Sequence, residues 1–343
     1  MPSMRHALLL AIALFTGLAG FSGTASAQKE TPIRFALDWR FEGPAAPFFV
    51  AIDKGYYKAE GLAVTIDPGS GSVEGINRVA SGVYDMGFAD LNSLIKYRDS
   101  PSNLGVTAVM MVYDTPAFSI VALKKSGIKA PKDLEGKILG APAADGAWAQ
   151  WPIFARANKI DTAKVKVENV GFPVREPLLA QGKVDAITGF WFSSFMNLKA
   201  NGVAHDDIVV LHMRDFGVDL YGNVIVANPE LMRSSPKAVS GFVRATLRGI
   251  LDTIKSPETA IDSLMKRAPI ANRAVELERL KMALDKNIVT PDTKKNGLGG
   301  VDVKRLARSF DEVGLTFNFT NKPKPADIFT TRFLPAQGER MIK

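Results

Sequence analysis

Acidic and aromatic side chains occur side by side where predicted strands end or predicted helices begin. Carboxylates accept hydrogen bonds from N–H groups, and aromatic faces stack on flat rings. Core packing explains one tryptophan at such a junction equally well, but all four tryptophans at junctions favour stacking on a flat ligand. The candidate ligand-binding residues of this kind are Asp38, Trp39, Phe41, Asp90, Asp114, Asp145, Trp148, Phe190, Trp191 and Tyr221.

A loop rich in glycine and serine, Pro68–Ser72, precedes a predicted amphipathic helix. It lacks the lysine and the spacing of a phosphate-binding loop. The free N–H groups of a helix N-terminus, together with the hydroxyls of Ser70 and Ser72, could still hold an anion or the polar edge of a ligand. Alternatively, one of these serines simply caps the helix. Both serines are therefore kept as candidate binding residues.

Residues suited to covalent or metal chemistry are scarce. The chain has no cysteine, and His205 and His212 are the histidines beyond the N-terminal segment. Neither histidine has the neighbours or the spacing of a metal ligand. The motifs of serine hydrolases and zinc proteases do not occur. We therefore predict no catalytic residue, no metal and no cofactor, and expect a protein that binds its ligand without converting it.

Short β-branched and aromatic runs alternate with helical patterns, which is typical of α/β folds. Ligands lie at the carboxyl ends of the strands in open α/β sheets, so we expect the acidic and aromatic junctions to face one cleft. From Pro229 onward the pattern is helical, most clearly in Lys237–Ser256. The predicted strands include Ile33–Leu37, Ala63–Ile66, Met86–Asp90, Val106–Tyr113, Phe118–Leu123, Ile138–Ala141, Val165–Val170, Ile208–Met213 and Val224–Ala227.

Two stretches, Gly82–Asp90 and Gly182–Ser194, share one layout: a glycine that ends a helix, an aspartate, and then a strand. This similarity indicates two lobes of like architecture. We predict a first lobe at residues 28–119 and 224–343, and a second lobe at residues 120–223. The chain would cross between them near Phe118–Leu123 and Tyr221–Ala227. The residues from 322 onward are predicted to be a surface tail.

Residues 1–27 have the features of an export signal peptide: Arg5, an apolar run at Ala7–Leu14, and the small residues Ala25-Ser26-Ala27 at a cleavage site. A chain without cysteine has no disulfide and no lipid-anchored N-terminal cysteine. The net charge is +8, but basic residues are scattered among acids. This pattern favours a solvated surface over a nucleic-acid partner. We therefore expect an exported protein. We also expect it to be a monomer.

Several phrases of the sequence resemble a known family. Leu37-Asp38-Trp39 and the phrase KGYY..EGL.V at residues 54–64 are similar to solute-binding proteins that feed ABC importers for thiamine pyrimidine precursors, nitrate, taurine and alkanesulfonates. Ser81–Asp90 follows the S-G-x-x-D-x-G-x-x-D pattern of that family, and Ile128–Gly140 carries a phrase frequent in bacterial solute-binding proteins. The resemblance implies the type II periplasmic-binding-protein fold: two Rossmann-like α/β lobes, two crossing segments and a helical C-terminal cover.

The sequence departs from the thiamine-precursor branch of that family at two places. Arg40-Phe41-Glu42 stands where that branch tends to have Pro-Asn, and Phe192-Ser193-Ser194 stands where it usually has Asn and a carboxylate. A related fungal pyrimidine synthase depends on His and Cys chemistry, from which a chain without cysteine departs. The resemblance therefore supports the fold well but supports a pyrimidine ligand only in part.

The resemblance implies a periplasmic protein that binds a small aromatic or heteroaromatic nutrient, similar to a thiamine precursor, by closing its lobes. The partner would be an ABC permease in the inner membrane. One alternative is a binder of nitrate, taurine or an alkanesulfonate, with Ser70, Ser72 and a helix N-terminus of the second lobe forming the site. The other alternative is a periplasmic sensor that presents its ligand to a receptor.

Overall fold

The computed structural model describes residues 30–100, 105–321 and 323–343. The predicted signal peptide at residues 1–27 lies outside the described residues. Within the described part of the chain, no helix combines the length and the apolar character needed to cross a membrane.

The described residues alternate between strands and helices through the first two thirds of the chain and are mostly helical afterwards. The strands are β1 (Thr31–Ala36), β2 (Leu62–Asp67), β3 (Met86–Asp90), β4 (Thr107–Met111), β5 (Phe118–Leu123), β6 (Ile138–Ala141), β7 (Lys166–Asn169), β8 (Ala186–Phe190), β9 (Ile208–His212) and β10 (Asn223–Ala227). The α-helices are α1 (Ala46–Asp53), α2 (Tyr56–Ala59), α3 (Ser72–Ala80), α4 (Leu91–Arg98), α5 (Gly146–Ala149), α6 (Trp151–Ala157), α7 (Arg175–Ala180), α8 (Trp191–Ala200), α9 (Pro229–Ser234), α10 (Pro236–Lys255), α11 (Pro257–Met265), α12 (Arg273–Ala283), α13 (Pro291–Asn296), α14 (Val303–Phe317) and α15 (Pro325–Ile328).

Two five-stranded sheets divide the molecule into two lobes. The first sheet has the strand order β2-β1-β3-β10-β4, and the second has the order β7-β6-β8-β5-β9. In each sheet one strand runs antiparallel to both of its neighbours, β10 in the first sheet and β5 in the second. These two strands are the ones that follow the passages between the lobes. The predicted two-lobed α/β fold is confirmed.

The first passage between the lobes lies slightly earlier than the sequence suggested. Strand β5 pairs with β8 and β9 along its whole length, so it belongs entirely to the second sheet. The chain therefore crosses at residues 112–117, before Phe118–Leu123 rather than within it. The return crossing lies at residues 217–222, directly before β10. Hydrogen bonding across the sheet decides where each lobe begins, and local sequence does not reveal it.

The residues from 229 onward form a helical cover that packs mainly on the first lobe. Helix α10 has apolar residues at helical spacing and packs along α1. Its Phe242 ring lies 5.0 Å from the ring of Phe35 in β1, centroid to centroid, and both side chains are fully buried. Burying a phenylalanine stabilises a fold by about 1.5–3 kcal/mol. The cover is therefore part of the core of the first lobe.

The prediction of a surface tail from residue 322 onward is wrong for Ile328, Phe329 and Phe333, whereas the other described residues of this segment are exposed or half-buried. Ile328 and Phe333 are buried, and Phe329 pairs with Ala108 of β4 in a parallel bridge. The segment covers the outer edge of the first sheet, and an exposed edge strand would otherwise offer its unpaired N–H and C=O groups to other chains. Lysine and proline in the sequence suggested exposure, but a few apolar residues decide the placement.

The cover also reaches the second lobe through α12 and the π-helical turn Leu284–Ile288 that follows it. Arg279 Nη2 donates to Asn197 Oδ1 of α8 at 2.8 Å. Asn287 Nδ2 donates to the Thr115 carbonyl at 2.9 Å, in the first crossing segment, and Asn287 Oδ1 accepts from Trp191 Nε1 at 3.2 Å. Single π-helical turns occur often at functional positions. The cover therefore touches both lobes and one of the two crossings.

Candidate functional site

A pocket lies between the lobes, at the carboxyl ends of β1 and β8, and we call it the cleft pocket. The cavity inside it measures about 50 Å³, and the whole space out to its opening about 590 Å³. The pocket therefore has room for a small molecule, and we call the space between its walls the slot. The lining residues that carry polar or aromatic groups are Asp38, Trp39, Arg40, Glu42, Phe48, Ser72, Phe88 and Tyr113 of the first lobe, and Asp145, Phe172, Arg175, Phe190, Phe192 and Ser193 of the second.

Aromatic rings from both lobes meet across the slot. The Trp39 ring of the first lobe lies 4.5 Å from the Phe172 ring of the second, edge to face. Phe190 and Phe192 stand 6.1 Å apart on the second lobe, and Tyr113 contacts Phe88 at 5.2 Å on the first. These rings give the slot apolar walls that suit stacking on a planar ligand.

Asp38 supplies a buried carboxyl at the end of β1. Its side chain is 8% exposed, and Asn223 Nδ2 donates to its Oδ2 at 2.7 Å. Burial disfavours the charged form and raises the pKa of Asp38 to about 7, although the hydrogen bond from Asn223 partly offsets this effect. The negative charges of Glu42 and Asp145 add to the increase. Near neutral pH this carboxyl is therefore able to accept a hydrogen bond or to hold a proton.

Glu42 joins the two lobes at the side of the pocket. Its Oε1 accepts from Trp39 Nε1 at 3.0 Å, which holds the indole in place. Its Oε2 accepts from Ser193 Oγ of the second lobe at 2.6 Å and lies 3.5 Å from Arg279 Nε of the cover. A hydrogen bond across the cleft of this kind forms only when the lobes are close together. The structure is therefore that of a closed cleft.

Asp145 and Arg175 form a buried charged pair on the second lobe. Asp145 caps α5 by accepting from the Ala147 N–H at 3.2 Å, and it also accepts from Thr188 Oγ1 at 2.8 Å. Burial raises the pKa of Asp145, while the positive charge of Arg175 opposes the increase. Arg175 Nη1 lies 3.8 Å from Asp145 Oδ2, and its Nε and Nη2 donate to Glu176 Oε1 at 3.0 and 2.6 Å.

The sequence comparison decides the family. The model of the family described as NMT1/THI5 like matches residues 44–260, well over half of the chain. The chain belongs to the NMT1/THI5-like family. The predicted resemblance is thereby confirmed.

Named relatives include both binding proteins and enzymes. The formylaminopyrimidine-binding protein of Halalkalibacterium halodurans is 26% identical over 91% of this chain and 92% of its own length. The riboflavin-binding protein RibY of Chloroflexus aurantiacus is 27% identical over 84% of this chain and 82% of its own. The 4-amino-5-hydroxymethyl-2-methylpyrimidine phosphate synthase of Legionella pneumophila is 24% identical over 71% and 76%. The NMT1/THI5-like family thus includes proteins of both kinds.

Solved structures agree on the fold. The alkanesulfonate-binding protein SsuA of Xanthomonas axonopodis pv. citri, bound to MOPS, superposes with a TM-score of 0.67, covering 87% of this chain and 96% of that one. Its sequence identity is 14%, so the likeness concerns the fold alone. The two lobes and the cover of this NMT1/THI5-like chain therefore share the fold of that protein.

The structure brings together five of the residues that the sequence singled out. Asp38, Trp39, Ser72, Asp145 and Phe190 all line the cleft pocket. Ser72 Oγ accepts from the Asp90 N–H at 3.0 Å, and the residue as a whole is 1% exposed. Ser72 therefore also holds the end of β3 in place. These five residues remain candidates for direct ligand contact.

Three of the predicted acidic and aromatic residues do not line the cleft pocket and instead make contacts within the fold. Asp90 caps α4 by accepting from the Ser93 N–H at 2.7 Å, and burial raises its pKa to about 6. Asp114 accepts from Thr290 Oγ1 at 2.5 Å and from Arg305 Nη1 at 3.1 Å. The Tyr221 ring stacks under Arg305 at 3.9 Å.

Four further candidates also lie elsewhere. Ser70 is exposed, and the Phe41 ring packs edge to face on Phe49 at 5.0 Å. Trp148 stacks on Trp151 at 6.4 Å, and Trp191 lines a separate surface cavity against α12. The four tryptophans, all within the described part of the chain, therefore do not share one cavity. Trp39 is the one that lines the cleft pocket.

The sequence interpretation missed several lining residues, above all Glu42, Phe172 and Arg175. Phe172 and Arg175 follow β7, with Arg175 as the first residue of α7. The rule of strand ends, applied to Val165–Val170, selects this stretch as well. Glu42 belongs to the stretch Arg40-Phe41-Glu42, where the sequence departs from the family pattern, but the sequence does not indicate its role. Among the described residues, no group of three or more His, Asp or Glu side chains is placed to hold a metal ion.

Proposed function

We propose that this protein is the solute-binding component of an ABC import system and that it holds a flat nitrogen heterocycle in the cleft pocket. The observation that carries the proposal is the aromatic slot between the lobes, whose lining includes the buried carboxyl of Asp38. Two relatives named for binding a formylaminopyrimidine and riboflavin support this ligand class.

The pocket offers such a ring both stacking and polar contacts. Trp39 and Phe172 approach from opposite lobes, so closing the cleft places a ring between them and Phe190. Asp38 has one oxygen engaged by Asn223 and presents the carboxyl group to an N–H donor of the ligand. Burial strengthens that hydrogen bond because water does not compete for it.

We further propose that the protein binds this ring without converting it. Some relatives are pyrimidine phosphate synthases, but the described residues that line the cleft pocket include no histidine, and the chain has no cysteine. Asp38, Glu42 and Asp145 are each engaged by hydrogen bonds from the chain itself. Turnover assays with the ring compounds named below are expected to show no product.

The pocket gives less support to nitrate, taurine or an alkanesulfonate as the ligand. Three carboxyls line it, and the buried Arg175 is already paired with Glu176. Asp145 occupies the N-terminus of α5, where an anion would otherwise bind, and Ser70 is exposed. An anion would meet three carboxyls against the two lining guanidiniums of Arg40 and Arg175, which favours an uncharged ring over an anion.

The two crossings allow the lobes to move, and we propose that a closed, ligand-bound form in the periplasm docks on a membrane permease. We take the first lobe to run to residue 117 and to resume at residue 223, with the second lobe between. We expect a monomer. A sensor role differs in its partner alone, so co-purification with a permease or with a receptor separates the two.

Titration calorimetry and thermal melting test the ligand class. The probes are a formylaminopyrimidine, 4-amino-5-hydroxymethyl-2-methylpyrimidine, riboflavin and taurine. We expect heat and a raised melting temperature with at least one ring compound and none with taurine, because ligands that bind the folded state stabilise it. Binding of taurine alone, or of none of the four, would contradict the proposal.

A further inference from the structure

The guanidinium of Arg175 has hydrogen-bonding groups that the protein itself leaves unused. Its Nε and Nη2 donate to Glu176 Oε1. Among the described contacts, Nη1 has only Asp145 Oδ2 as a partner, and at 3.8 Å this oxygen lies beyond hydrogen-bonding distance. The Arg175 side chain is 3% exposed, and the residue lines the cleft pocket. Nη1 is therefore free to donate to an acceptor that enters the pocket.

The guanidinium is held rigidly in this orientation. Glu176 anchors one side of it, and the rings of Phe172 and Trp39 lie 5.7 and 5.8 Å from its central carbon. On its other side the guanidinium packs on the backbone of β8. The approach is close, since a Cβ built at Gly189 would lie 3.1 Å from Nη1. A donor fixed in this way loses little freedom when it binds an acceptor, which favours affinity and selectivity.

The charge around Arg175 decides what kind of acceptor it takes. Its positive charge is already balanced by Glu176 at 2.6 Å and by the more distant Asp145, and Asp38 and Glu42 also face the pocket. A full anion would meet these four carboxyls against two lining guanidiniums, those of Arg175 and Arg40. A neutral acceptor, such as a carbonyl oxygen, gains a charge-assisted hydrogen bond without that repulsion.

We propose that Arg175 is a specificity-determining residue, which donates from Nη1 to a neutral oxygen acceptor of the ligand while Asp38 accepts from a donor of the same ring. The ligand class is then an uncharged heterocycle with an N–H donor at the edge facing the first lobe and a carbonyl or formyl oxygen facing the second. This inference rests on the proposed function and narrows it. In the closed cleft, one ligand would then contact both Asp38 of the first lobe and Arg175 of the second.

The first test uses the unaltered protein and two uncharged probes of the same size. One is a 4-amino-2-methylpyrimidine with a formylamino substituent, and the other carries an alkyl group of equal length in its place. Hydrogen bonds to charged groups contribute enough that we expect the formyl probe to bind at least about tenfold more tightly. Equal binding of both probes would overturn the role of Arg175 and leave the proposed function standing. Binding of neither would remove both.

The second test uses Arg175→Lys, which keeps a positive charge for Glu176 but lacks the fixed Nη1 donor. We expect the preference for the formyl probe to fall to about twofold or less, with the alkyl probe bound as before. Arg156→Lys is the matched control, because Arg156 is an exposed residue of the same lobe paired with Glu312. A role in folding alone would weaken both probes equally. That result, or an unchanged preference, would overturn the proposal.

Discussion

Burial raises the pKa of Asp38 to about 7, so this carboxyl gains or loses a proton near neutral pH in the ligand-free protein. An N–H donor binds the ionised form, and the proton has to leave before the ligand binds. We predict that the affinity for an uncharged ring falls as the pH drops below 7, approaching about tenfold per pH unit, and levels off above about pH 8. Titration calorimetry between about pH 5 and pH 8.5 measures this slope.

Asp38 also makes the stability of the ligand-free protein depend on pH, with the opposite sign. Its folded pKa lies above its ordinary value of 3.8, so the native state holds the proton more tightly than the unfolded state. The free energy of unfolding is therefore predicted to fall as the pH rises from about 4 to about 7. Asp38→Asn is expected to reduce this dependence and to abolish the slope in affinity. A slope that persists would point instead to Asp90, whose pKa burial raises to about 6.

Trp39 is the tryptophan whose removal should weaken binding. Its ring lines the cleft pocket and meets Phe172 across the cleft, whereas Trp191 donates to Asn287 outside it. Stacking of a heterocycle on an aromatic side chain contributes about 1–3 kcal/mol, so Trp39→Ala is expected to weaken binding by about tenfold or more. Trp191→Phe is the matched control and is expected to leave the dissociation constant within about twofold. Equal losses in both variants would argue against the assigned pocket.

At the scale of elements, helix α12 links the wall of the pocket to the second lobe. Arg279 pairs with Glu276 on the same helix, lies 3.5 Å from Glu42, and donates to Asn197 of α8. The Gly43 N–H donates to Glu276 Oε2 at 2.6 Å, which fastens the loop that carries Glu42 onto the helix. All of these side chains are buried or nearly so. A residue outside the matched segment 44–260 thus supplies the countercharge of a pocket acid.

Removing that countercharge should cost stability. Arg279→Met leaves the carboxylates of Glu42 and Glu276 buried without a countercharge, and we predict a loss of about 3–5 kcal/mol in the free energy of unfolding. Urea denaturation followed by circular dichroism gives this value. Adding Glu276→Gln to Arg279→Met is expected to recover part of the loss, since one unpaired charge disappears. A double variant as unstable as the sum of the two single changes would show that the two side chains do not interact.

At the scale of the whole molecule, Gly71 marks the place where the lobes touch. A Cβ built at Gly71 would lie 2.2 Å from the Ala144 carbonyl oxygen of the second lobe, and its φ of 101° suits glycine. We predict that Gly71→Ala keeps the cleft from closing fully. The ligand should then produce a smaller decrease in the radius of gyration by X-ray scattering than in the unaltered protein.

Gly82→Ala is the control for backbone strain in that experiment. Gly82 has a φ of 76°, also in the left-handed region, but a Cβ there would meet no atom within 4 Å. The control is expected to lower stability slightly and to leave closure intact. If both variants closed fully on ligand, the contact between Gly71 and Ala144 would not limit closure.

Local sequence predicted most elements within a few residues, with clear exceptions. The sequence pattern predicts one helix over Trp148–Asn158 and another over Ala274–Ile288. The structure has two helices, α5 and α6, in place of the first, and the second ends in a π-helical turn. Helix α8 was not predicted, because Trp191–Ala200 mixes apolar, serine and amide residues with little periodicity. The composition of the residues after 322 predicts exposure, whereas Ile328, Phe329 and Phe333 are buried and Phe329 pairs with Ala108 of β4.

What the sequence determined by itself was the alternation of strands and helices, and hence which residues stand at strand ends. That was enough to place Asp38, Trp39, Ser72, Asp145 and Phe190 around one pocket. Whether a residue at a strand end faces the cleft or another element depends on which distant segment packs beside it. Asp114, Trp191 and Tyr221 contact residues of the cover instead of the pocket. Packing between the lobes brings Glu42 and Arg175 into the pocket lining. Contacts between distant segments leave little trace in local periodicity, so the tertiary structure alone decided them.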